Sequence, residues 1–182
     1  THENSKGKTE CWLIMEADKK SGVYLGLKPG VDNLKLKKAI DEKKDVSKYL
    51  NFYEVSPGDF YIIPAGTIHA IGQGVKLLEV QQSSGVTYRV WDWNRVGLDG
   101  KPRELHVKKA LDVINFGDEI NEVNNYKVSK ELFKTSVKQL LFTHDDFRVC
   151  FYRLINNEEQ IVNISDLTRH SAVICLSGSI KL

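Results

Sequence analysis

The twelve residues Gly58-Asp59-Phe60-Tyr61-Ile62-Ile63-Pro64-Ala65-Gly66-Thr67-Ile68-His69 restrict the fold of this chain more than any other stretch. Gly58 and Asp59 supply turn chemistry, and the aromatic and β-branched run that follows suits a short buried strand. Pro64 ends that strand because it has no N–H to donate to a sheet ladder. Gly66 permits a backbone bend that residues with a Cβ resist. His69 then opens another strand, and a histidine on a rigid β scaffold is well held for metal ligation. A lone histidine in such a place is more often a hydrogen-bonded bystander. Here the spacing G-x-x-x-x-x-P-x-G-x-x-H argues for the ligand.

The same punctuation recurs along the chain. Residues 11–17 and 23–27 read as strands joined by a polar turn at 18–22. Asp32 is a helix cap, and residues 33–41 place Leu34, Leu36, Ala39 and Ile40 on one apolar face. A second helical piece is expected over 46–50, so residues 32–50 form a lysine-rich helical insertion between strands. Strands are expected again at 52–55, 59–63, 75–82 and 87–92, separated by glycines. Residues 103–114 carry apolar residues at helical spacing. Residues 117–125 are polar and mark a boundary. Beyond it, 126–128, 133–141, 147–155, 160–162 and 172–176 read as further strands. Residues 176–182 resemble one arm of a hairpin, an apolar edge that needs a cover. Many short strands with glycine-rich turns predict a mainly β barrel or sandwich.

Composition narrows the possible functions. The 182 residues carry a net charge of only +2, which points to neither nucleic acid nor an anionic membrane surface. No apolar run reaches the length of a membrane span. The three cysteines, Cys11, Cys150 and Cys175, are odd in number, widely separated and without C-x-x-C spacing. A disulfide framework and a thiolate zinc site are therefore not expected, and reduced thiols in a cytoplasmic protein are.

Two further segments carry chemistry. Glu10 begins the first strand, and a carboxylate converging with the His69 imidazole suits a divalent metal such as zinc. Alone, Glu10 would be a surface residue at a strand start. In the run from Leu77 to Arg95, Glu79 and Gln81 point the same way from a strand. Arg89 follows on the next expected strand. It is costly to bury without a partner, which is Asp92 or Glu79 on a structural reading and an anionic substrate on a functional one. Trp91 and Trp93 are expected in a wall of the core.

These segments resemble a known family. The pattern ending at His69 matches the second motif of the cupins, with Gln73 where many cupins carry asparagine. The runs Gly7-Lys8-Thr9-Glu10-Cys11-Trp12, Pro64-Ala65-Gly66-Thr67-Ile68-His69-Ala70, Leu77-Leu78-Glu79-Val80-Gln81-Gln82-Ser83-Ser84 and Tyr88-Arg89-Val90-Trp91-Asp92 resemble type I mannose-6-phosphate isomerases, most closely the short bacterial branch. The likeness covers most of residues 1–116, including the segment from Arg103 to Ile114. It implies a cupin jelly-roll catalytic domain at 1–116, a linker at 117–125 and part of a second cupin-like domain at 126–182. It implies zinc bound by Glu10 and His69, with Lys8, Glu79 and Arg89 as active-site residues and Lys8 and Arg89 near the substrate. The implied reaction interconverts mannose 6-phosphate and fructose 6-phosphate through a cis-enediol. The implied partner is thus a small hexose 6-phosphate. The general base is left open among Glu79, Lys8 and a metal-bound water.

Two departures from the family pattern matter. Its Gln-x-His motif, which supplies further ligands, would precede Glu10 and does not occur here; His2 sits in a polar tail and replaces it poorly. Ile71 stands where other branches carry tyrosine. The expectation is a piece of a longer enzyme, with weak zinc binding and little activity by itself. A non-catalytic cupin that binds a sugar phosphate is the alternative. A metal-dependent oxygenase would need more histidines, and His106, His144 and His170 read as ordinary surface residues. The central expectation is that Glu10 and His69 face one another within a single rolled sheet, close to Arg89.

Overall fold

The computed structural model describes residues 3–93, 95–129, 132–135, 138–153 and 171–179. It is mainly β. One antiparallel sheet has the order β6-β1-β4-β7, built from β1 (Glu10–Ala17), β4 (Phe60–Ile63), β6 (Val75–Gln81) and β7 (Lys127–Ser129). A second has the order β3-β2-β5, from β2 (Gly22–Leu27), β3 (Leu50–Glu54) and β5 (His69–Ile71). The two sheets face each other across a core of Trp12, Ile14, Val23, Leu25, Tyr61, Ile63 and Tyr126.

The alternation of side chains along a strand explains why β1 is apolar at nearly every position. Trp12 and Ile14 enter the core between the sheets, while Cys11 and Leu13 turn outward. That outer face is covered by Leu132, Leu141 and Phe151, contributed by α3 (Leu132–Thr135) and by the hairpin of β8 (Lys138–Thr143) and β9 (Arg148–Tyr152). A strand buried on both sides needs a continuous apolar run. The second sheet is backed by the helical insertion and by α2 (Val107–Leu111), where Leu36 of α1 (Asn33–Asp41), Val46 and Leu111 pack together. Asp32 caps α1 by accepting from the Lys35 N–H at 2.7 Å. Leu34, expected on the apolar face, is 77% exposed; the packed face runs through Leu36 and Ala39 instead.

Several expected elements differ. Residues 87–92 form no strand; the ion pair of Asp92 with Arg103 and the bonds of the Arg89 main chain to the His106 main chain and imidazole hold them as an irregular loop. The expected helix over 103–114 is confined to α2, since residues 103–106 are irregular and make those contacts. The expected strand at 133–141 divides into α3 and β8, since Leu132 and Phe133 turn onto the outer core. Residues 172–176 form no strand, and Val173 and Ile174 are exposed. The strand at 160–162 and the end of the hairpin arm lie outside the described residues.

Residues 117–125 carry two short 3-10 turns around the buried Asn121. Its Oδ1 accepts from the Leu27 N–H at 2.9 Å and the Tyr126 hydroxyl at 3.1 Å. Its Nδ2 donates to the carbonyls of Gly117 at 2.7 Å and Asn115 at 3.0 Å. Gly26, with φ +72°, makes room for this amide, since a Cβ there would lie 2.6 Å from Asn121 Oδ1. Asn121→Ala would leave a buried N–H and a buried hydroxyl unpaired. It is expected to cost about 2–4 kcal/mol, read from chemical denaturation midpoints.

Candidate active site

The β1–β6 register builds one half of the site. Glu10 lies opposite Gln81 and Trp12 opposite Glu79, and paired residues project to the same face. Glu10, Trp12, Glu79 and Gln81 therefore share the inner face of the first sheet. His69 comes from the other sheet, where β5 pairs with β2 and His69 lies opposite Leu25. The expectation of a single rolled sheet is corrected here: the carboxylate and the imidazole meet across the space between two sheets. The approach depends on the turn after β4. Gly66 has φ +87°, and a Cβ there would lie 2.7 Å from the Val113 carbonyl. The Thr67 N–H bonds the Pro64 carbonyl at 3.1 Å, which closes the turn and starts β5 at His69.

Glu10 is buried at the base of the site, with 1% of its surface exposed. Its Oε2 lies 3.7 Å from His69 Nε2, and its Oε1 lies 2.8 Å from Lys8 Nζ. Lys8 also donates to Gln81 Oε1 at 3.0 Å. The lysine pairs with Glu10 by charge, but its approach leaves Oε1 without a directed hydrogen bond. His69 Nδ1 donates to the Thr67 carbonyl at 2.8 Å. A carbonyl only accepts, so Nδ1 carries a proton, and Nε2 is the ring atom turned toward the carboxylate. Nε2 and Oε2, 3.7 Å apart, are spaced as two ligands of one divalent cation would be.

The carboxylates divide their roles. Burial works against ionising Glu10, but the adjacent His69 and Lys8 and a hydrogen bond with Glu79 bring its pKa below the usual carboxylate range. Glu79 moves the other way. Desolvation of its carboxyl group is the larger cause and the Glu10 charge the second, even though Glu79 as a residue is exposed. Its Oε2 accepts from Trp12 Nε1 at 3.0 Å. The pair thus presents an ionised Glu10 and a Glu79 that holds its proton more tightly. Cys11, next in the chain, faces the opposite way; burial first, and then the Glu10 charge, push its thiol up to about 12.

Four of the five residues singled out from the sequence come together: Lys8, Glu10, His69 and Glu79. Arg89 does not join them through any hydrogen bond or ion pair among the described residues. Its Nη1 donates to the Glu104 carbonyl at 3.3 Å, and its main chain exchanges bonds with His106. Asp92, a partner considered for Arg89, is engaged by Arg103. His106 is half-buried at the start of α2, with Nδ1 accepting from the Arg89 N–H at 3.3 Å, rather than a helix-surface residue. Trp91 and Trp93 meet with centroids 4.5 Å apart and planes tilted by 37°, and Trp91 packs on the core behind the second sheet. His144 lies in the β8–β9 turn; His2 and His170 lie outside the described residues. Among the described residues no group of three His, Cys, Asp or Glu side chains could hold a metal. Two surface concavities, of about 620 and 430 Å³, open elsewhere, around Phe116 and Tyr53. Sequence reasoning gave Trp12 no role, although its place two residues after Glu10 put it on the same face of β1.

Comparison with known proteins agrees with this architecture. No protein-family model matches the chain. It is 42% identical over 117 residues to mannose-6-phosphate isomerase ManA of Bacillus subtilis, covering 62% of this chain and 36% of that protein. It is 39% identical over 123 residues to mannose-6-phosphate isomerase of Streptococcus mutans, covering 66% of this chain and 37% of that one. The crystal structure of mannose 6-phosphate isomerase from Bacillus subtilis superposes with a TM-score of 0.57 at 37% identity, over 63% of this chain and 36% of that chain. The chain thus spans little more than a third of the length of these curated relatives. No helix among the described residues is long and apolar enough to cross a membrane. By the paired inner faces of its sheets, by the turn that delivers His69 and by these likenesses, the chain is similar in sequence and in its mainly β cupin fold to part of the type I mannose-6-phosphate isomerases.

Proposed function

We propose that this chain carries an aldose–ketose isomerase site for a hexose 6-phosphate, interconverting mannose 6-phosphate and fructose 6-phosphate. The observation that carries this reading is the 3.7 Å approach of His69 Nε2 to Glu10 Oε2, with the histidine tautomer held by Thr67. The donor set fits a divalent metal. A neutral imidazole and an ionised carboxylate are ordinary zinc ligands, and the buried Glu10 Oε1 lacks a directed hydrogen bond. Glu10 and His69 would hold the metal. A bound zinc would polarise the sugar oxygens as a Lewis acid.

The chain's own groups supply the rest. Glu79 stands beside Glu10 at the accessible side of the site, and its raised pKa suits a carboxyl group that takes a proton from one sugar carbon and returns it to the next. Lys8 balances the Glu10 charge at the base and offers N–H groups to a sugar hydroxyl. Arg89, held at the Glu104–His106 turn, is assigned to the anionic end of the substrate. The free thiols Cys11, Cys150 and Cys175 suit a cytoplasmic setting.

Two described ligands give weak zinc binding. Calorimetric titration with Zn²⁺ is expected to show low affinity in the wild type, reduced a further tenfold or more, on the order of a lost ligand, in His69→Ala. Affinity unchanged in His69→Ala would remove the metal from this site.

Incubation with fructose 6-phosphate in D₂O separates catalysis from binding. Solvent deuterium entering the sugar, and its loss in Glu79→Gln, is expected of an isomerase with Glu79 as the proton carrier. Stabilisation of the fold by the sugar phosphate without deuterium entry would identify the non-catalytic binding module instead.

A further inference from the structure

Trp12 touches both halves of the site. It is 1% exposed and fills the core between the sheets. A buried indole needs an acceptor for its N–H. A main-chain carbonyl would serve that purpose without involving the site. The acceptor here is Glu79 Oε2 at 3.0 Å, reached across the strand pair in which Trp12 lies directly opposite Glu79. The same indole meets the His69 ring in a T-shaped contact, with centroids 5.3 Å apart and planes at 80°. Glu79 stands on the outermost strand of its sheet, β6, and is exposed. An exposed glutamate on an outermost strand has several rotamers open to it, and one directed N–H from a rigid, buried ring selects among them.

We infer that Trp12 is a positioning residue, whose indole N–H sets the Glu79 carboxyl group beside Glu10 and whose ring braces the His69 imidazole from the other side. The inference rests on the reading of Glu79 and His69 given above and goes further by naming what holds them. Its physical content is a fixed relation between groups borne on two different sheets. Glu79 follows Trp12 through a hydrogen bond, and His69 follows it through an edge contact. Rigid packing around the indole transmits that order, because Trp12 is enclosed by Ile14, Tyr61 and Ile63.

The test uses the indole N–H resonances of the full chain in ¹H–¹⁵N spectra, with and without Zn²⁺. The Trp12 signal is identified by elimination, using Trp91→Phe and Trp93→Phe. Without metal, it is expected to move in Glu79→Ala and to stay near its wild-type place in Glu79→Gln, which keeps an oxygen acceptor. This arm leaves Trp12 unaltered, so it stands even where a tryptophan substitution would unfold the core. Trp12→Phe, which keeps a ring but loses the N–H, is expected to bind Zn²⁺ about tenfold more weakly than the wild type while remaining folded, the scale of a lost outer-shell contact. A Trp12 signal indifferent to Glu79→Ala overturns the inference, as does a folded Trp12→Phe that binds Zn²⁺ like the wild type. Should the wild type bind no Zn²⁺, the metal reading fails, and the Glu79→Ala and Glu79→Gln spectra still decide whether Trp12 positions Glu79.

Discussion

A carboxylate at the bottom of a protein core must have its charge answered, and the burial of Glu10 sets that demand here. The answer comes from three directions. Lys8 supplies a cation from just before β1, His69 supplies an imidazole from the opposite sheet, and Glu79 shares a hydrogen bond from β6. Each of these partners is aimed by a different device. Lys8 is held by Gln81, His69 by the Thr67 carbonyl, and Glu79 by the Trp12 indole. A site whose members are each secured by a second contact keeps its geometry when the substrate is absent.

The surrounding structure protects that arrangement from both sides. The first sheet is covered outside by α3 and the β8–β9 hairpin, so β1 cannot slip without exposing Cys11 and Leu13. The hairpin turn is also tied to the start of β1. Gln82 accepts from the Thr9 N–H at 2.8 Å and donates to Asp146 at 2.6 Å, while Asp146 accepts from Lys6 at 3.1 Å. The residues flanking Lys8 and Glu10 are thereby fastened to an element more than a hundred positions later in the chain. Asn121 does comparable work at the second sheet, joining β2 to the turns before β7 through four hydrogen bonds.

Much of this was legible in the residues. The strands β1, β2, β4 and β6 and the helix α1 follow from alternation, caps and turn residues within a position or two. The identities of Lys8, Glu10, His69 and Glu79 followed from the resemblance to the isomerases, and the structure gathers all four. What was not legible depended on contacts distant in the chain. Residues 87–92 have strand composition, yet Arg103 claims Asp92 and His106 claims the Arg89 main chain, so no ladder forms. Residues 133–141 alternate like a strand, yet the outer face of β1 draws Leu132 and Phe133 into a helical turn.

Local chemistry by itself decided the punctuation of this protein. Pro64 restricts backbone angles and Gly66 and Gly26 widen them wherever they stand, and Asp32 caps the helix that follows it, because such preferences act over a few bonds. Tertiary structure alone decided that the imidazole of β5 and the carboxylate of β1 belong to different sheets and meet through the core. It also decided that Trp12 stands between Glu79 and His69, and that the bonds of Arg89 run to residues 104–106. Those outcomes rest on which faces bury together and which polar groups satisfy one another, and neither is fixed until the sheets have packed.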